Sequence, residues 1–247
     1  MGATVCAAVS AAPDLELVAA VDPAAAGATA PSVGVEIAPD IESLAGLNVD
    51  VAVDFTVPGA AVENATRCAS LGIHTVIGTT GIGEADQDKL REAYPAGGSL
   101  GCIVAPNFAI GAVLMIRFAE MAAPWFETAE IIELHHDAKV DAPSGTAMLT
   151  AERMAAASSE WAADPTEVRS IPEARGAAGP GGIRIHSVRL RGLVAHQEVL
   201  LGTTGQSLTI RHDSYDRQSF MPGVLLAVRS VAGRPGLTVG LEPLLGI

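Results

Sequence analysis

Hydrophobic positions fall into two regimes along the chain. Over residues 49–106, short and nearly continuous apolar runs recur. "VDVAVDFT" at 49–56, "HTVIGTT" at 74–80 and "GCIVAP" at 101–106 read as strands buried on both faces. "GAAVENATRCASLG" and residues 84–94 lie between them and read as helices. Residues 4–12 (TVCAAVSAA) read as a small-residue helix, followed by a strand ending at Asp22 and a loop-like stretch at 23–40. Strand and helix in alternation predict a parallel, doubly wound, Rossmann-like α/β sheet. After "PNFAIGAVLMIRFAEMAA" the pattern changes. "AEIIELHH", "IRIHSVRL", "HQEVLLGTT" and "QSLTIRHD" alternate with period two and lack regular crossover helices, which predicts an α+β region with a mixed or antiparallel sheet. "SFMPGVLLAVRSVAG" returns to a helical pattern and "GLTVGLEPLL" closes the chain. The expected organisation is two domains, 1–107 with 219–247 and 108–218, the last helix returning to the first.

Composition narrows the class. The 247 residues are 49% hydrophobic and 17% charged, a globular balance. No apolar run reaches the roughly 20 residues that span a bilayer, and no basic segment precedes the Ala-rich start, so neither membrane span nor signal peptide is expected. Cys6, Cys68 and Cys102 lie far apart without metal-ligand spacing, as reduced thiols of a cytoplasmic protein would. A formal net charge of −13 argues against a nucleic-acid surface. It also means that an anionic ligand needs a local positive pocket within a negative field.

One segment, "ELHHDAKVDAPSGTA" at 133–147, concentrates proton-carrying side chains. Strand alternation sends His135 and His136 to opposite sides, with Lys139 in the loop beyond. Ser144 is placed to cap a helix, leaving N–H groups of Gly145, Thr146 and Ala147 free, and free N–H groups at a helix start form an anion site. A carboxylate on the Gly145 and Thr146 amides, with Lys139 and one histidine adding charge, leaves the other histidine to move a proton. A metal site built from His135, His136, Asp137 and Asp141 is disfavoured because Lys139 in their midst repels a cation.

Asp22, at the end of an expected second strand, stands where a dinucleotide fold meets the adenosine ribose. It precedes Pro23, so a capping aspartate fits as well. Of the glycine-rich turn expected about 20 residues upstream, the chain offers Met1 and Gly2, with Met1 counted among the nucleotide contacts. The first Rossmann strand is absent from the sequence, so either the true start lies upstream or a central strand is missing. Gly78, Thr79 and Thr80 end one buried strand, and Ala105, Pro106, Asn107 and Phe108 end another, at the edge where parallel sheets bind ligands. Ordinary strand-ending turns are the alternative.

The histidine-lysine segment closely resembles the signature of the dihydrodipicolinate reductase family, which acts in lysine and diaminopimelate synthesis. The resemblance extends through "DFT" at 54–56, "GTTG" at 78–81, "APNFAIG" at 105–111, "GLVAHQEVLLGT" at 192–203 and "IRHDSYDRQSFMPGVLLAVR" at 210–229. It implies a two-domain, usually homotetrameric oxidoreductase that uses NADH or NADPH to reduce a cyclic imine dicarboxylate to tetrahydrodipicolinate. It further implies that His135 protonates the substrate ring and that Lys139 is a second proton donor. His136, Gly145 and Thr146 would hold the substrate; Asp22 and the 78–80 and 105–108 segments would hold the nucleotide. Family members with an arginine directly after the acidic ribose contact can hold a 2′-phosphate. Pro23 in that place predicts that NADH serves at least as well as NADPH. A truncated, catalytically silent relative that binds a metabolite or aids assembly is the rival reading. Another Rossmann-type reductase, acting on an amino-acid aldehyde, does not explain the paired histidines beside a helix start.

Overall fold

The computed structural model describes residues 1–31, 33–172 and 174–247. Ser32, within the stretch read as loop, and Glu173 lie outside the described residues. In chain order the elements are α1 (Gly2–Ala11), β1 (Ala20–Val21), β2 (Ile37–Ala38), β3 (Val51–Asp54), α2 (Pro58–Ser70), β4 (His74–Ile77), α3 (Glu84–Ala93) and β5 (Gly101–Val104). There follow α4 (Ile110–Ala122), β6 (Thr128–His135), α5 (Gly145–Ala157), β7 (Ala177–Ala178), β8 (Arg184–Arg189), β9 (Ala195–Thr203) and β10 (Gln206–Ser214). Last come α6 (Met221–Val231), β11 (Gly236–Val239) and α7 (Glu242–Leu245). They divide into two compact units, Met1–Ile110 with Arg217–Ile247, and Gly111–Asp216.

The first unit holds a four-stranded parallel sheet in the order β11-β5-β4-β3. Its strands are short, and the central pair β4 and β5 is covered on both faces while β3 and β11 are mostly half-buried. Val76, Ile77, Cys102 and Ile103 are fully buried, and the amphipathic face of α2 packs Ala61, Val62 and Ala65 against Ile77 and Val104. Tyr94, buried beyond α3, donates its hydroxyl to the Ala65 carbonyl at 2.8 Å and pairs with Thr75 Oγ1 at 2.6 Å, so a polar core residue keeps its bonds. α6 returns to this unit, and Gly223 makes its close approach possible: a Cβ there would meet the Phe108 carbonyl oxygen at 2.2 Å. β1 and β2 pair in parallel as a separate two-stranded sheet. β2 lies inside the stretch expected to be loop, so that expectation is corrected; two bridging residues leave no periodicity to read.

The second unit holds a five-stranded mixed sheet in the order β10-β9-β6-β8-β7. β6 is its centre, antiparallel to β9 and parallel to β8. Alternation sends Ile131, Ile185, Val199 and Leu201 into a core with Ala147, Ala151 and Met154 of α5 and with Met115 and Ala119 of α4. Ile132, Leu134, Val188 and Leu200 are only half-buried.

Candidate active site

β6 ends at His135, and the nine residues that follow fold back so that α5 starts beside the strand's end. Ser144 caps that helix: its Oγ accepts from the Ala147 amide at 3.2 Å and its carbonyl from Met148 at 3.0 Å. The first amides of a helix have no partner inside it. Among the described residues, those of Gly145 and Thr146 have no protein acceptor, and a Cβ added at Gly145 would meet nothing within 4 Å. Of the three amides expected to be free, two are open and the third, of Ala147, is taken by Ser144.

Glu133, missed in the sequence, organises what lies beside it. It is fully buried, two residues before His135 and on the same strand face. His135 Nδ1 is 2.5 Å from Glu133 Oε2, and Arg189 grips both oxygens at 2.8 Å. The Ser144 amide donates to Oε1 at 3.2 Å. Arg189 stands opposite His135 in the β6–β8 register and also donates to the Asp141 carbonyl at 2.6 Å. Burial opposes ionisation of Glu133, but bonds from His135, Arg189 and Ser187 outweigh it and hold its pKa at about 2. The signal for Glu133 was the two-residue spacing; Arg189 needed the strand pairing.

Lys139 Nζ lies 2.7 Å from Asp141 Oδ1, which holds that carboxyl below the usual range. Arg191 pairs with Asp137 at 2.8 Å. Each of the three fixed cations around the segment thus faces a carboxylate. Positive potential here comes from the helix end rather than from unpaired lysine. His135 is largely enclosed, with its side chain 15% exposed, and its Nε2 has no protein partner among the described residues. His136 is exposed. No group of three or more metal-ligating side chains occurs among the described residues.

The residues expected at a nucleotide lie in the first unit. Segments 78–80 and 105–108 follow the neighbouring strands β4 and β5, whose register pairs Ile77 with Val104, so the sheet brings them together. Gly78 is glycine because a Cβ would stand 2.1 Å from the Phe55 ring, which also packs on Phe108 with centroids 5.7 Å apart. Thr79 Oγ1 donates to the Thr56 carbonyl at 3.0 Å, while Thr80 and Pro106 are exposed. Ala105 continues the ladder through Ile77, and Asn107 Oδ1 accepts from Ala109 at 2.9 Å, leaving the amide NH₂ for a ligand. Asp22 lies elsewhere, at the end of β1, and Met1 caps α1. One Asp22 oxygen accepts from Ala24 at 2.9 Å, and the second has no protein partner among the described residues.

Comparison with known proteins identifies the family. Residues 1–108 match the family model described as dihydrodipicolinate reductase, N-terminus, and residues 111–245 the model described as its C-terminus. Proteins named 4-hydroxy-tetrahydrodipicolinate reductase from Cutibacterium acnes and Nocardia farcinica are each 51% identical over all of this chain and 95% of theirs. A solved structure of dipicolinate-bound dihydrodipicolinate reductase, from Paenisporosarcina, superposes with a TM-score of 0.86. It is 42% identical, over 97% of this chain and 93% of that one.

Proposed function

The chain belongs to the dihydrodipicolinate reductase family, and on that premise we propose how its own residues carry out the family's reaction. It is an NAD(P)H-dependent oxidoreductase that reduces the cyclic imine formed from 4-hydroxy-tetrahydrodipicolinate to tetrahydrodipicolinate. Relatives half identical over its whole length give no support to a silent binding protein.

One observation carries the residue assignment: His135, with Nε2 unengaged, stands on the strand whose buried Glu133 also holds the start of a helix with two open amides. A substrate carboxylate sits on the amides of Gly145 and Thr146, where the helix end favours negative charge. His136, exposed at the strand's end, adds a hydrogen bond to a carboxylate. His135 delivers a proton to the ring from Nε2, and Lys139 is the second donor. When bound, NADH or NADPH supplies the hydride. Asp22, the 78–80 turn and residues 105–108 hold the nucleotide, with Met1 beside it; the unengaged Asp22 oxygen, Thr80 and the Asn107 amide fit ribose and carboxamide groups. The dipicolinate bound in the Paenisporosarcina structure is a ring dicarboxylate and supports the anion assignment.

Assembly as a homotetramer is the expected state of such a chain, and the half-buried apolar row Ile132, Leu134, Val188 and Leu200 supports it. Light scattering should give four chains. No helix among the described residues is long and apolar enough to cross a membrane; a cytoplasmic site of action fits the buried thiols Cys68 and Cys102, pushed by burial to pKa values of about 11 and about 12. The decisive assay is imine-dependent oxidation of NADH. Absence of any such oxidation by folded protein, with either nucleotide, would remove the reading. Pro23 after Asp22 predicts kcat/KM for NADH at least equal to that for NADPH. Asp22→Ala should raise KM for NADH, and an unchanged value would retire Asp22 as a contact.

A further inference from the structure

We propose that Glu133 is a positioning residue: it fixes the proton of His135 on Nδ1, so that Nε2 is the only nitrogen that exchanges with substrate, and it ties that choice to the anion-binding start of α5. The inference rests on the reading of His135 as the acid.

An ionised carboxylate accepts and never donates. Glu133 Oε2 lies 2.5 Å from His135 Nδ1, so the hydrogen between them belongs to the imidazole whether the ring is charged or neutral. After giving up its proton, His135 is therefore left as the Nδ1–H tautomer with its lone pair at Nε2, ready to be reprotonated at the same atom. This is how a partner on one ring nitrogen sets the chemistry of the other.

The same carboxylate reaches further. Its Oε1 accepts from Ser144, the residue that caps α5. Arg189 balances its charge and reaches on to the Asp141 carbonyl, so the return loop is held to the strand near its far end. The ring that gives the proton and the amides that hold the carboxylate thus share one fully buried anchor. A purely structural ion pair needs Arg189 and Ser144 alone. The bond to His135 adds tautomer control.

Two measurements test this. In wild-type protein with ¹⁵N-labelled histidine, the His135 signal is identified by its loss in His135→Gln. At a pH where the ring is neutral it should show the proton on Nδ1; an Nε2–H tautomer overturns the proposal, and this needs no variant of Glu133. The second is a double-mutant cycle on turnover. Glu133→Gln should lower kcat by roughly tenfold to a hundredfold, as loss of an outer partner of a functional histidine does in metal sites. It should cost nothing more in the His135→Gln background. Equal losses in both backgrounds mark a structural role and overturn the proposal. Near-normal turnover of His135→Gln itself defeats the acid reading instead, while the tautomer measurement still decides what Glu133 holds.

Discussion

Toward each end of β6 a carboxylate on the strand meets an imidazole and a guanidinium. At its last residues Glu133 holds His135 and Arg189. Three residues earlier, and so on the opposite sheet face, Glu130 holds His186 at 2.7 Å and pairs with Arg175. Both carboxyls lie below their ordinary range, burial being outweighed in each by these partners. The surroundings differ. Glu130 lines a cavity of about 390 Å³ with Trp161, Asp164, Arg175 and Arg184, and there Arg184 is committed to Asp164 at 2.8 Å. His186 spends Nε2 on Glu130, and a Cβ at Gly176 would stand 2.9 Å from its Nδ1, so the ring is packed on that backbone. Near His135 there is instead a helix start with open amides and an imidazole nitrogen without a partner among the described residues. A carboxylate-histidine-arginine trio is therefore common structural hardware. On the function proposed above, what turns one into a site is an unspent nitrogen next to unspent helix donors.

The largest expected effect tests that contrast directly. His135→Ala and Lys139→Ala should each lower turnover about 10²–10⁴-fold if proton transfer limits the rate. His186→Ala, at the other trio, should leave turnover near wild type. Steady-state kinetics on the three purified variants settles it, and a comparable loss from His186→Ala would erase the distinction between the two ends.

How far the sequence reveals this follows from distance along the chain. β6, the return loop and the Ser144 cap are local, and period two, a run of loop residues and a cap signal place them. Glu133 is equally local, but the adjacent histidine pair masks the residue two before it. Arg189 lies 56 positions from Glu133, and its meeting with Glu133 and His135 follows from the parallel pairing of β6 with β8, which no spacing announces. Lys139 looks in the sequence like a source of unpaired charge, yet Asp141 two residues on neutralises it. The doubly wound sheet is legible from its buried runs. The two-residue strands β2 and β7 are not, because so short a pairing has no period.

A smaller effect separates the helix start from the trio itself. Gly145→Ala places a methyl group where nothing lies within 4 Å, and alanine favours a helix more than glycine does, so folding should be unharmed. The methyl would crowd a carboxylate on the amides. Loss of one bond to a charged group, worth about 1.5–3 kcal/mol, should raise KM for the imine roughly tenfold or more, with kcat changing far less. If KM stays fixed while the thermal midpoint holds or rises, the substrate carboxylate sits elsewhere, and the open amides no longer distinguish this end of the strand.

The smallest effect concerns stability in acid, where the two trios should differ in degree. A carboxyl whose pKa is depressed by folding contributes stability that is fully present above its unfolded value, here 4.5, and is lost as pH falls toward the folded value. For Glu133 that window runs from 4.5 down to about 2. Glu130 is lowered as well, but its side chain is 30% exposed against none for Glu133, so solvent screens its pairing with Arg175 and His186. Glu133→Gln cannot titrate. It should start less stable at neutral pH, with Arg189 left facing a neutral amide, and its urea midpoint should then fall less steeply than wild type between pH 5 and pH 3, taken as roughly the upper part of that window. Glu130→Gln should flatten the same curve by a smaller amount. A larger flattening from Glu130→Gln would mean that the buried anchor is the less ionised of the two, and the hold it is assigned on His135 would lose its electrostatic basis.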